Sequence, residues 1–190
     1  MNNPIGLLEI PKLETERLIL RKITSDDAAD IFEYAHLPEV SEFLPWYSHQ
    51  TIQDSLSFIK FAKEKFEKDS WIIFGIEIKN EKKLIGSIDV RDWKGENNCA
   101  DIGYVLSKKY WNKGILTEVL RSVIRFCFEE LQLNRVEAHC EEENIGSWRV
   151  MEKCGMKFEG LLRQKVFVKE RYRSMKMYSI LKSEYQNDKS

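Results

Sequence analysis

The segment "ERLILRKIT" alternates between polar and apolar positions around Arg17, Leu18, Ile19 and Leu20 well enough to predict a strand. In "SDDAADIFEYAHLP", Ser25 can cap a helix, the acids Asp26 and Asp27 suit its positive N-terminus, and Pro38 closes it. "TIQDSLSFIKFAKEKFEKD" places Ile52, Leu56, Ile59, Phe61 and Phe66 at roughly helical spacing. "SWIIFGIEIK" and "KLIGSIDVRDW" read as two strands around a turn at Asn80 to Lys82, and "CADIGYVLS" as another. From Gly114 to Leu131 the apolar residues Leu116, Val119, Leu120, Val123, Cys127 and Leu131 recur at threes and fours, giving one broad apolar helical face. "NRVEAHCEE" reads as a strand and "NIGSWRVMEKCG" as a short helix ending at Gly155. The last apolar stretch holds two strands joined near Lys169 to Arg171. The order β-α-α-β-β-β-α-β-α-β-β predicts an α+β fold, a mixed and mostly antiparallel central β-sheet flanked by helices. No linker or repeat divides the chain, so residues 1–190 are expected to form a single domain, with a core from about 13 to 182 and a polar tail, "SEYQNDKS", from 183.

Composition narrows the function. The 190 residues suffice for one sizeable core. With 30 basic against 31 acidic residues the net charge is -1, which argues against general nucleic-acid binding. No apolar run of about 18 residues predicts a membrane span. "MNNPIGLLEIPKLE" lacks the basic and apolar regions of a signal peptide. Cys99, Cys127, Cys140 and Cys154 form no C-x-x-C pair and read as reduced, buried thiols, which with the missing export signal predicts a cytoplasmic protein. His36, His49 and His139 show no metal-ligand spacing, so no metal is expected. His139 alternates with the apolar positions of its strand and faces either a cleft or a packed or solvated surface.

One glycine, Gly114 in "KKYWNKGILTEVL", stands where a strand passes through a short loop into a helix. First-turn N–H groups have no partner within the helix and carry its positive dipole end, so loop and first turn can form an anion site. Glycine lets backbone approach an anion with no Cβ in the way. Lys113 adds a charge and Thr117 a hydroxyl. The plainer alternative is a glycine that only relieves a tight turn.

The run Asp101–Thr117, "DIGYVLSKKYWNKGILT", resembles the central strand and pyrophosphate loop of the GCN5-related N-acetyltransferases (GNAT), most of all the branch that acetylates ribosomal-protein N-termini at alanine or serine. Of the superfamily pattern Gln/Arg-x-x-Gly-x-Gly/Ala only Gly114 fits, and Leu116 replaces a small residue. The branch pattern Trp-x-Lys-Gly followed by Thr-Glu fits at Trp111, Lys113, Gly114, Thr117 and Glu118. Downstream, "ELQLNRVEAHCEEENIGSWRVMEKCGMKFEG" matches the branch's Asn-Arg-Val, Asn-x-x-Ser and Glu-Lys-x-Gly. "LETERLILRKITSDDA" and "YRSMKMYSIL" resemble its opening and closing strands, so the likeness covers most of the chain.

The resemblance implies transfer of an acetyl group from acetyl-CoA (coenzyme A) to a primary amine. The acceptor is expected to be a protein N-terminal α-amino group, with a polyamine or aminoglycoside as the alternative. A non-catalytic acyl-CoA-binding module is a third reading. By resemblance the backbone of Asn112, Lys113, Gly114, Ile115, Leu116 and Thr117 holds the pyrophosphate, and Tyr104, Val105 and Leu106 pair with the pantetheine. Asn144 contacts the coenzyme arm or caps its helix, or both, and Ser147 stands near the sulfur or on the surface. Many relatives carry an acid tyrosine where this chain has Met151, and an aspartate where it has Ser174. Asp101 is the expected general base, directly or through water, with a paired strand-end acid as its alternative. Trp46, Tyr47 and Trp93 are candidates for the substrate wall, and Glu141 for holding a cationic substrate. Relatives often pair, so a homodimer is the expected assembly. No nucleic acid or membrane partner is expected.

Overall fold

The computed structural model describes residues 9–69 and 71–187. The signal-peptide reading of residues 1–8, Ser70 of the predicted second strand and the tail residues 188–190 lie outside the described residues. The elements run β1 (Leu13–Glu14), β2 (Leu18–Lys22), α1 (Ala28–Ala35), α2 (Pro38–Ser41), α3 (Ile52–Asp69), β3 (Ile72–Ile78), β4 (Lys83–Arg91), β5 (Cys99–Leu106), α4 (Ile115–Glu129), β6 (Arg135–Glu141), α5 (Ile145–Lys153), β7 (Lys157–Val168), β8 (Arg171–Leu181) and α6 (Lys182–Asn187).

Three local expectations change. The first helix is preceded by a 3-10 turn, Ser25–Asp27, capped by Thr24 rather than Ser25, with Thr24 and Asp27 in reciprocal bonding. Pro38 does not close α1 but opens the four-residue α2, since proline at a first helical position gives up no bond. The expected polar tail begins as α6, whose Tyr185 ring packs 5.1 Å from Phe128 while Glu184 pairs with Lys157 at 2.6 Å.

The eight strands form one sheet in the order β1-β2-β3-β4-β5-β6-β8-β7. Every pairing is antiparallel except β5 with β6. Strand alternation gives the sheet two cores. Ile72, Phe74 and Ile76 pack into the cluster of α4, where Phe74 meets Phe126 edge-on at 5.9 Å. Ile73, between them, packs with Ile31, Tyr34 and Ala62 of α1 and α3. The broad apolar face expected for α4 is buried along Val119, Leu120, Val123 and Cys127. All four cysteines are free, and three of them are buried. No helix among the described residues is long and apolar enough to cross a membrane.

The pairing of β5 with β6 positions the site. It runs only from Cys99–Arg135 to Ile102–Ala138, although β5 continues to Leu106 and β6 to Glu141. Beyond Ile102 the two parallel strands part, and a wedge opens in the middle of the sheet.

Candidate active site

A cleft of about 1120 Å³ fills this wedge and runs on between α4, α5 and the loop after α2. Its wall on one side is β5. The Ser107 N–H bonds the Ile85 carbonyl at 2.7 Å, and antiparallel strands direct backbone groups alternately to either side. The backbone groups of Tyr104 and Leu106 therefore turn away from β4 into the wedge. The Leu106 carbonyl there accepts the Trp111 indole N–H at 2.8 Å.

The far end of the cleft is the loop into α4. Gly114 is the N-cap of α4 and has φ 72°, a left-handed conformation that side chains disfavour. Asn112, two residues earlier, is also left-handed at φ 59°. A Cβ on Gly114 would meet only Arg17, at 3.7 Å, so backbone conformation rather than crowding calls for glycine here. Asn112, Gly114, Ile115, Leu116 and Thr117 all line the cleft, and the α4 dipole favours an anion at this end. Lys113 does not line the cleft. Its ammonium lies over the Tyr110 ring at 5.3 Å, and its carbonyl accepts from Arg17 at 3.0 Å.

Asn144 and Ser147 stand on the opposite wall, at the start of α5. The Asn144 side chain accepts from the Ser147 N–H at 3.1 Å, so it caps α5 while lining the cleft. Met151 is buried, which leaves no tyrosine at that position of α5. A tyrosine arrives instead from β5: the Tyr104 hydroxyl lies 3.0 Å from the Ser147 Oγ and 3.0 Å from its carbonyl. Burial pushes the Tyr104 phenol well above its ordinary pKa, despite the bond to Ser147, so it stays protonated.

A charged row crosses the sheet beside the wedge. Arg91 of β4 stands opposite Asp101 of β5, and its guanidinium donates to Oδ1 at 2.8 Å. Oδ2 of Asp101 meets Nδ1 of His139 at 3.0 Å. His139 lines the cleft and Asp101 does not, so the expectation of Asp101 as a direct base gives way to that of an acid paired between strands. Asp89, another cleft residue, accepts from the Gly103 N–H at 2.9 Å. Its carboxylate takes up the space a side chain on Gly103 would need, since a Cβ there would come within 3.0 Å of Oδ1. Burial raises the Asp89 pKa to about 6 against the opposing pull of Arg91.

The expected substrate residues separate. Trp46 lines the cleft together with Phe58, Phe61 and Trp71. Tyr47 is turned to solvent, 68% exposed, beneath the Lys169 ammonium. Trp93 is 3% exposed and belongs to the core under α4, so it forms no cleft wall. Glu141 is buried and ion-paired with Arg173 and, at 3.5 Å, with Arg171, so its charge is not free for a cationic substrate. Asp89 and Arg91 escaped the sequence reading, and His139 was left between a cleft and a packed or solvated surface. The alternation of His139 along its strand was the one signal that pointed to it.

The acetyltransferase (GNAT) domain model matches residues 17–157. The uncharacterized N-acetyltransferase YoaA of Bacillus subtilis is 33% identical over 172 residues, covering 90% of this chain and 97% of its own. YdaF of the same organism, provisionally named a ribosomal N-acetyltransferase, is 36% identical over 56% of this chain and 58% of its own. Spermidine N(1)-acetyltransferase of Vibrio cholerae is 26% identical over 56% of this chain and 62% of its own. Among solved structures, a GNAT-family acetyltransferase from Bacillus anthracis superposes with a TM-score of 0.81 at 29% identity, covering 91% of this chain and 99% of that one. The chain therefore belongs to the GNAT acetyltransferase family, as an N-acetyltransferase that uses acetyl-CoA.

Proposed function

We propose that the acceptor is the α-amino group of a protein N-terminus, of the ribosomal-protein type. The observation that carries this reading is the pairing of Glu141 with Arg173 and Arg171. A polyamine needs several free carboxylates along its path. Glu39, paired with Lys108 at 2.6 Å, and Glu42 also line the cleft, but Trp46, Phe58, Phe61 and Trp71 wall it beside them, which suits the side chains of an extended peptide bearing a single amine. The likeness to YdaF, higher in identity than that to the spermidine enzyme, supports the same reading.

The wedge fits the coenzyme. The left-handed turn at Gly114 and the first-turn N–H groups of α4 suit its diphosphate, and the N–H groups of Tyr104 and Leu106 suit the amides of its arm. When bound, acetyl-CoA supplies the acetyl thioester. The β5 N–H groups that face the wedge can stabilise charge growing on a carbonyl oxygen. Ser147 Oγ can pass a proton to the departing sulfur and regain one through the Tyr104 hydroxyl 3.0 Å away, which solvent refills.

The experiment is a comparison of kcat/KM for three acceptors: a peptide with a free N-terminal serine or alanine, the same peptide N-blocked but carrying a lysine, and spermine. The proposal expects the free N-terminus to exceed both others at least about tenfold, ~1.4 kcal/mol in transition-state binding. Spermine as the best acceptor would overturn it.

A further inference from the structure

We infer that His139 is the base that takes the acceptor's proton, with Asp101 as its positioning residue. The inference rests on the amine acceptor entering from the wall of Trp46 and Trp71, and it holds for any amine that does so.

Strand register builds the pair. Asp101 lies beside Glu137 in the parallel pairing of β5 with β6, so His139, two residues on, shares its face as the diagonal neighbour. Arg91 comes from the other side, directly opposite Asp101. Both carboxylate oxygens of Asp101 are therefore engaged, one by Arg91 at 2.8 Å and one by the imidazole at 3.0 Å. This arrangement fixes the proton of neutral His139 on Nδ1 and leaves Nε2, with its lone pair, for the cleft. The carboxylate also stabilises the imidazolium once it forms.

Two rival bases in the cleft, Asp89 and His49, are less well placed. Asp89 has its Oδ1 bonded by the Gly103 N–H and 3.3 Å from the Arg91 guanidinium, which favours the carboxylate as a partner of that cation. His49 sits in the loop after α2 with Ser55 as its partner at 3.0 Å, and no carboxylate among the described residues bonds its ring. His139 belongs to β6, one of the two strands whose parting forms the wedge.

The protons balance. The acceptor arrives as an ammonium with three protons. His139 Nε2 takes one and releases it to solvent. The freed nitrogen lone pair forms the C–N bond to the acetyl carbon as the carbonyl π pair moves onto oxygen. His139 Nε2, neutral again, takes a second proton from that nitrogen and passes it to solvent. The carbonyl re-forms, the C–S bond breaks with its pair on sulfur, and the sulfur takes a proton from Ser147, which solvent replaces, so the net release is one proton, with one on the thiol and one on the amide.

The test pairs kinetics with a readout that needs no turnover. Imidazole 15N NMR of the free enzyme, assigned with His139→Gln, should show His139 as the Nδ1–H tautomer, and Asp101→Asn should shift that tautomer balance. His139→Gln should lower kcat/KM by about 100-fold or more with the dissociation constant for CoA within about twofold of wild type. Asp101→Asn should lose a comparable factor. A free-enzyme Nε2–H tautomer would overturn the inference even if no acceptor on the panel were acetylated, which separates its failure from that of the proposed acceptor. So would a His139→Gln enzyme that keeps its activity while Asp89→Asn loses it.

Discussion

Glu118 on α4 and Arg17 at the start of β2 are joined twice: the Arg17 N–H meets Oε1 at 3.0 Å and its Nε meets Oε2 at 2.7 Å. Thr15 adds a hydroxyl bond to Oε1 at 2.5 Å, and a further Arg17 nitrogen reaches the Lys113 carbonyl. Glu118 after the glycine and the Thr-Glu-Arg of the opening segment are thus two halves of one clamp, which ties the loop before α4 to the sheet edge.

If the clamp shapes the loop, Glu118→Ala should weaken CoA binding by about tenfold, ~1.4 kcal/mol, as read by isothermal calorimetry. An unchanged affinity would mean the loop holds its form without it.

If the Ser147 hydroxyl acts on the leaving sulfur rather than in ground-state binding, Ser147→Ala should lower kcat by roughly 10- to 100-fold while the KM for acetyl-CoA stays within about twofold. Tyr104→Phe should cause a smaller loss, since water can re-protonate the serine. Steady-state kinetics of the two variants gives the order, and a larger effect at Tyr104 would make the phenol the direct donor.

Asp89 makes stability fall as pH rises. Its carboxyl is pushed up to about 6 in the fold, chiefly by burial, against an ordinary value near 3.9. A raised carboxyl favours the protonated form in the native state. Its stabilising contribution is complete below about pH 4 and is lost as pH rises through about 6. Asp89→Asn removes this titration. Urea unfolding at both pH values should show the variant gaining ~1–3 kcal/mol on wild type between pH 4 and pH 7. A constant difference would show that Arg91 and the Gly103 N–H fully offset the burial.

The pair of Glu141 and Arg173 should behave as structure rather than as substrate contact. Arg173→Met leaves a buried carboxylate without its main partner and should cost about 3–5 kcal/mol in urea unfolding. Glu141→Gln should leave the ratio of peptide to spermine turnover unchanged. A collapse of spermine turnover alone would return Glu141 to the substrate site.

Long periodic segments were legible in the sequence because their burial is one-sided. The apolar stripe of α4 and the runs of β3 to β5 have the same period as the surfaces that cover them. The two-residue β1 and the α6 helix carry no such period, since α6 is held by contacts such as Tyr185 on Phe128 and Glu184 on Lys157. The turn into α4 was legible through Gly114, because a left-handed helix start selects glycine. Asp101 and His139 lie far apart in the chain and meet only through the register of β5 on β6, which composition and spacing do not encode. Trp93 misled for the same reason: a tryptophan near a strand end looks alike whether it walls a cleft or lies in the core under α4.

The central claim is that the turn at Gly114 builds the coenzyme site of this N-acetyltransferase. Calorimetric titration of CoA into Gly114→Val tests it most directly. A side chain there faces the left-handed penalty, ~1–2 kcal/mol, and stands beside the first-turn N–H groups. The account predicts that the folded variant binds CoA at least about tenfold more weakly than wild type, ~1.4 kcal/mol. A folded Gly114→Val protein with wild-type affinity would contradict it.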